Sequence, residues 1–96
     1  MVIEDDQDLR DSLQRLLQEK YTISMATNGE EGLKLVQEIK PDLILSDVMM
    51  PIMDGFELCK QLKRKKETSC IPIILLTAKI NDKDYLEGLN CGADAY

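Results

Sequence analysis

Three features of this 96-residue chain predict a layered α/β domain, with helices on both faces of a parallel sheet. Short apolar runs recur about every 20 to 30 residues, the spacing of βα units. Between them lie segments with helical periodicity, such as Leu9, Leu13, Leu16 and Leu17 at i, i+4, i+7 and i+8. Residues 43–46 (Leu43-Ile44-Leu45-Ser46) show no polar alternation, which marks a strand buried on both faces. Right-handed crossovers between such units give a parallel sheet.

Each element follows in order. Met1-Val2-Ile3 reads as the tail of a first strand and ends in Glu4-Asp5-Asp6. A helix then runs from Asp8 to about Glu19, with Arg10, Arg15 and Glu19 on its wet side. Thr22–Ala26 alternates weakly and forms a second strand nearer an edge, and Asn28-Gly29 marks the turn after it. Leu33, Val36 and Ile39 face inward from a second helix, which stops ahead of Pro41. After the strand ending at Asp47, Phe56, Cys59 and Leu62 define a third helix. Its Lys63-Arg64-Lys65-Lys66 end reads as a solvated basic cluster matched to the helix dipole. Pro72–Leu76 is the next buried strand, with Thr77 at its carboxyl end. A weaker helix is expected around Asp84–Leu89, and a fifth strand starts at Ala93-Asp94-Ala95-Tyr96. The domain is expected to be cut at both ends.

Composition narrows the function. A net charge of −6 with no His disfavours direct nucleic-acid binding. No apolar run approaches a membrane span, and no secretory pattern opens the chain. Cys59, Cys70 and Cys91 are odd in number and widely spaced, without a CxxC pair, so reduced structural thiols in the cytoplasm are expected.

In open α/β sheets, ligands bind beyond the carboxyl ends of the strands. There the sheet brings together Glu4, Asp5 and Asp6 from strand one, Asp47 from strand three and Thr77 from strand four. Carboxylates that close repel one another unless something positive sits among them, and a hard divalent cation such as magnesium suits them. Asp6 and Asp8 read better as caps of the first helix, and Glu4 and Asp5 as metal ligands. A carboxylate beside magnesium can act as a nucleophile toward phosphorus, and a hydroxyl such as that of Thr77 can hold the phosphoryl oxygens. Asp47 taken alone is equally compatible with capping the loop that follows it.

Four motifs, in this order and at these spacings, resemble the receiver domain of two-component response regulators over essentially the whole chain. They are Ile3-Glu4-Asp5, Leu45-Ser46-Asp47-Val48-Met49-Met50-Pro51-Ile52-Met53-Asp54-Gly55, Leu76-Thr77-Ala78-Lys79 and Gly92-Ala93-Asp94-Ala95-Tyr96. The resemblance implies a flavodoxin-like, doubly wound, five-stranded parallel sheet in the order 2-1-3-4-5. It makes Asp47 the phosphoacceptor, charged from a phosphohistidine on a histidine kinase or histidine phosphotransfer domain. Mg2+ would be held by Asp5 directly, by Glu4 through water, by Asp47, and by the backbone carbonyl of Met49. Thr77 matches the switch hydroxyl, Tyr96 the switch aromatic, and Ala78 a small residue beside the phosphoryl group. Such a domain is a phosphoacceptor with self-catalysed transfer and slow self-dephosphorylation rather than a turnover enzyme.

Glu4 stands where the family more often has Asp, and the family's Lys-Pro pair falls three residues beyond Tyr96. The segment Thr68–Lys79 resembles receivers embedded in hybrid sensor kinases, so the cytoplasmic part of a membrane-anchored kinase is one expected setting. A homodimer through an uncovered sheet face is another expectation. Three alternatives compete with this resemblance. A phosphatase of the haloacid-dehalogenase type wants a second Asp where Met49 stands. A flavin carrier would have its phosphate repelled by Glu4-Asp5-Asp6. A receiver-like module that is never phosphorylated would have no need of these acids.

Overall fold

The computed structural model describes residues 1–76 and Asp94. In chain order these form β1 (Val2–Ile3), α1 (Gln7–Leu17), β2 (Met25–Ala26), α2 (Gly29–Ile39), β3 (Ile44–Asp47), α3 (Gly55–Arg64) and β4 (Ile73–Leu76). All pairings are parallel and the sheet order is β2-β1-β3-β4. That is the expected order through four strands. The helix expected around Asp84–Leu89 lies outside the described residues. So does the expected strand at Ala93–Tyr96, apart from Asp94.

Each helix begins on a side chain that accepts its unsatisfied amides. Asp6 caps α1 through Asp8 and Leu9, Asn28 caps α2 through Glu31, and Asp54 caps α3 through Glu57. At its far end α2 turns out through Lys40, whose φ of 52° is left-handed, directly before Pro41.

The two sheet faces differ sharply. Register puts Ile3, Ser46 and Leu75 in line, and Ile44 with Ile73, and all five are fully buried. They meet α2 and α3, whose Val36, Leu58, Cys59 and Leu62 complete the core. Gly32 sits over Ile3, so close that a Cβ there would strike its side chain. Val2, Leu45 and Ile74 line up on the opposite face, toward α1. Leu45 and Ile74 are only half-buried there. The expectation that β3 is buried on both faces is corrected accordingly: its pattern alternates between buried and half-buried.

The reading of α1 is corrected too. Leu9, Leu13, Leu16 and Leu17 share a stripe, yet α1 holds no fully buried residue and Leu16 is 76% exposed. A stripe drives burial only where an opposing surface exists, and among the described residues this face is thinly covered. A polypeptide of residues 1–96 is therefore expected to bind a hydrophobic dye through this face. Replacing two exposed leucines, Leu16→Lys with Leu76→Lys, should cut dye fluorescence by about half or more without lowering stability. Unchanged fluorescence would place the dye elsewhere.

Candidate functional site

The site lies at the carboxyl ends of β1 and β3. The Ile3–Ser46 pairing sets Glu4 and Asp47 one step further along neighbouring strands. The Glu4 amide still bonds Ala26 (3.0 Å), and Val48, just past Asp47, bonds Leu76 (3.1 Å). Both acids are thus fixed by sheet backbone, not carried on loose loops. One carboxylate oxygen from each of Glu4, Asp5 and Asp47 lies within 4.8 Å of the others.

Local bonds hold this arrangement. The Asp6 amide donates to Glu4 Oε1 at 3.1 Å, and Asp6 then caps α1. Arg10 reaches back from α1 and donates from Nη1 to the Glu4 carbonyl at 2.7 Å. The expectation that Arg10 sits on the wet side is corrected: it braces the turn that carries Glu4 and Asp5. The Met49 amide approaches Asp47 Oδ1 at 3.4 Å, and the Gly55 amide donates to the Val48 carbonyl at 2.9 Å. Asp47 therefore orients its own loop while remaining half-buried at the mouth of the site.

The electrostatics show the crowding. Glu4 is 4% exposed. Burial pushes its carboxyl up to about 7, and the Asp47 and Asp5 carboxylates push the same way, against the Asp6 amide. Three converging oxygen donors, one of them unwilling to ionise, have the chemistry of a site for a hard cation. Asp5 is exposed, which leaves the cluster open to solvent.

The sequence expectations divide cleanly here. Glu4, Asp5 and Asp47 are brought together, Asp6 is a cap, and Met49 lies two residues beyond Asp47 on the loop. Thr77, Ala78 and Tyr96 lie outside the described residues. Two features were not anticipated. Arg10 gave no signal beyond its position on the first helix. Lys63, expected to be solvated, is 19% exposed and fully engaged, with Nζ donating to the carbonyls of Ser69 (3.1 Å) and Ile71 (2.9 Å) and to Asp94 Oδ2 (2.9 Å).

This parallel sheet with an acidic trio at its carboxyl end agrees with a comparison against protein families, in which the response regulator receiver domain matches residues 1–96. The chain belongs to that family. Among similar proteins, the transcriptional regulatory protein AfsQ1 of Streptomyces coelicolor is 46% identical, over all of this chain and 42% of its own length. Histidine kinase P4 of Formosa agariphila is 45% identical, over all of this chain and 7% of its own. The signal receiver domain of a signal transduction histidine kinase from Syntrophus aciditrophicus superposes with a TM-score of 0.92 at 39% identity, covering 98% of this chain and 72% of that one. This receiver domain thus spans less than half the length of those two curated relatives. Its sheet is the flavodoxin-like one that the motifs implied. Among the described residues no helix is long and apolar enough to cross a membrane.

Proposed function

We propose that this receiver domain accepts a phosphoryl group on Asp47 from the phosphohistidine of a histidine kinase or histidine phosphotransfer domain in the cytoplasm. The observation that carries this reading is the convergence of Glu4, Asp5 and Asp47 at adjacent strand ends. An Asp47 carboxylate oxygen forms the new P–O bond as the P–N bond breaks, and the electron pair returns to the imidazole. Glu4, Asp5 and Asp47, with the Met49 carbonyl, are the groups suited to hold Mg2+, and the donor set fits it. Bound there, the ion supplies neutralising charge for the phosphoryl oxygens.

The motifs support Thr77 as the hydroxyl that follows the phosphoryl group, Ala78 as its small neighbour and Tyr96 as the aromatic that responds. Incubation with acetyl phosphate and magnesium tests the central reading. A lasting mass gain of one phosphoryl group on Asp47 is expected. Rapid phosphate release would indicate phosphatase chemistry instead, and no gain at all an inert module.

Acidity provides a second test. In the folded chain Glu4 keeps its proton up to about pH 7, whereas an unfolded Glu releases it near 4.5. Between those values the native state binds more protons, so stability of the metal-free domain should fall as pH rises through this window. Thermal unfolding is expected at a lower temperature at pH 8 than at pH 5.5. Millimolar magnesium should close that gap from the pH 8 side, and its apparent affinity should weaken below about pH 7 as protons compete for Glu4. An affinity flat from pH 5.5 to 8 would remove Glu4 from the ligand set.

A further inference from the structure

Among the described residues, the most heavily bonded polar group away from the acidic cluster is Lys63, near the end of α3. An ammonium has three donors, and here each meets a fixed acceptor: the carbonyls of Ser69 and Ile71 and the Asp94 carboxylate. Its neighbours Arg64, Lys65 and Lys66 are exposed, so this is not the behaviour of the basic cluster as a whole. Asp94 is bound from the other side as well. Its Oδ2 accepts the Ile73 amide at 2.9 Å, and its own amide donates to the Ile73 carbonyl at 3.0 Å.

The pattern on Ile73 has a structural meaning. In a parallel ladder, a residue's amide bonds a carbonyl of the neighbouring strand, and its carbonyl bonds an amide two residues further along that strand. The Asp94 amide fills the second role, and the Asp94 carboxylate takes the place of a carbonyl in the first. One residue therefore makes a complete rung on the outer edge of β4, at the first residue of that strand. Lys63 neutralises the carboxylate and ties the rung to the end of α3 and to the α3–β4 turn. Asp94 titrates below the ordinary carboxylate range because Lys63 and the Ile73 amide stabilise its charge.

We propose that Lys63 and Asp94 are positioning residues that clamp the chain at Asp94 to the first residue of β4, and that this clamp carries the coupling between phosphorylation at Asp47 and the response of Tyr96. Tyr96 is two residues beyond Asp94, and Thr77 four beyond Ile73. A rung that fixes Asp94 against Ile73 limits how far either residue can shift past the other. Neither residue touches the acidic cluster, so phosphoryl uptake itself should not need them. The coupling part of this inference rests on Asp47 being the acceptor.

The test uses Lys63→Met, which keeps the aliphatic stem, and Asp94→Asn, which keeps shape and loses charge. Three quantities are read in the whole chain: amide hydrogen exchange at Ile73, phosphoryl uptake from acetyl phosphate with magnesium, and the change in the Tyr96 ring resonances on phosphorylation. In both variants the Ile73 amide should exchange at least about tenfold faster while the Leu45 amide on β3 keeps its protection. Uptake should stay within about twofold of wild type, and the Tyr96 shift should fall by more than about half. Wild-type exchange at Ile73 in both variants would overturn the rung. Faster exchange with a full Tyr96 response would overturn the coupling. A wild-type protein that takes up no phosphoryl group overturns the acceptor reading alone, and the exchange measurement still decides the rung. Should Lys63→Met fail to fold, Lys63→Arg, which keeps the charge, is expected to restore Ile73 protection, and its failure to do so would count against the clamp.

Discussion

Asp47→Asn is expected to reduce phosphoryl uptake by more than about a hundredfold while leaving the domain folded and slightly more stable above pH 7. The chemical loss follows from replacing a carboxylate nucleophile with an amide, since no other group in the cluster is placed to take over. Glu4 is buried and carries a proton to about pH 7, and Asp5 is exposed on the turn ahead of α1. The gain in stability follows from the same crowding. Removing the Asp47 charge relieves one of the repulsions that push the Glu4 carboxyl up, so the pH-dependent loss of stability should shrink. Function and stability thus move in opposite directions, as is common where an active site holds like charges together. Asp6→Ala is the contrasting substitution. It removes the cap that holds the Asp8 and Leu9 amides, costing about 1 kcal/mol, and should leave uptake nearly unchanged. Mass spectrometry after acetyl phosphate treatment, with chemical denaturation alongside, measures both effects. A phosphorylated Asp47→Asn protein carrying the group in the same pocket would show that the acceptor has been misassigned.

What could be read from the residues alone was whatever depends on chain order and local chemistry. The strand ending at Asp47, the acids after β1, the stops at Pro41 and the parallel order all follow from periodicity and punctuation, and each is present. The convergence of Glu4, Asp5 and Asp47 was legible because they sit at strand ends, where topology brings them together whatever the side-chain packing. Burial on the α1 side was not legible. The leucine stripe on α1 states a preference for a partner surface but not whether one is supplied, and Leu16 is left exposed. Nor could Lys63 be distinguished from Arg64, Lys65 and Lys66, because its acceptors come from residues 69, 71 and 94. Arg10 was hidden for the same reason, since helical periodicity placed it among wet residues and only the return to the Glu4 carbonyl reveals its use. Long-range bonds to backbone oxygen leave no trace in a sequence pattern.

Gly55→Ala should be strongly disruptive for a single added methyl. Gly55 opens α3 immediately after its cap, Asp54, and its amide bonds the Val48 carbonyl at 2.9 Å. A Cβ built there meets the carbonyl oxygen of Asp47 too closely, with Val48 Cα at 3.0 Å and the Asp47 carbonyl carbon at 3.1 Å. All three are backbone atoms of the strand end that carries the acceptor, so no rotamer change can relieve the clash. Either α3 lifts off the sheet or the end of β3 moves. Overpacking of this kind costs roughly 1–3 kcal/mol, and each kcal/mol lowers the unfolding temperature of a domain this size by roughly 4–8 °C. Gly32→Ala is the control. Its added methyl meets side-chain atoms of Ile3 rather than backbone, and Ala gains about 1 kcal/mol in helix propensity over Gly. The two variants should therefore separate. Gly32→Ala is expected to stay within about 1 kcal/mol of wild type, and Gly55→Ala to lose stability and also take up phosphoryl groups several-fold more slowly at temperatures where it is fully folded. The second effect carries the argument, because it follows only if the methyl displaces Asp47 itself. Wild-type uptake in a destabilised but folded Gly55→Ala protein would mean that α3 yields and the strand end holds.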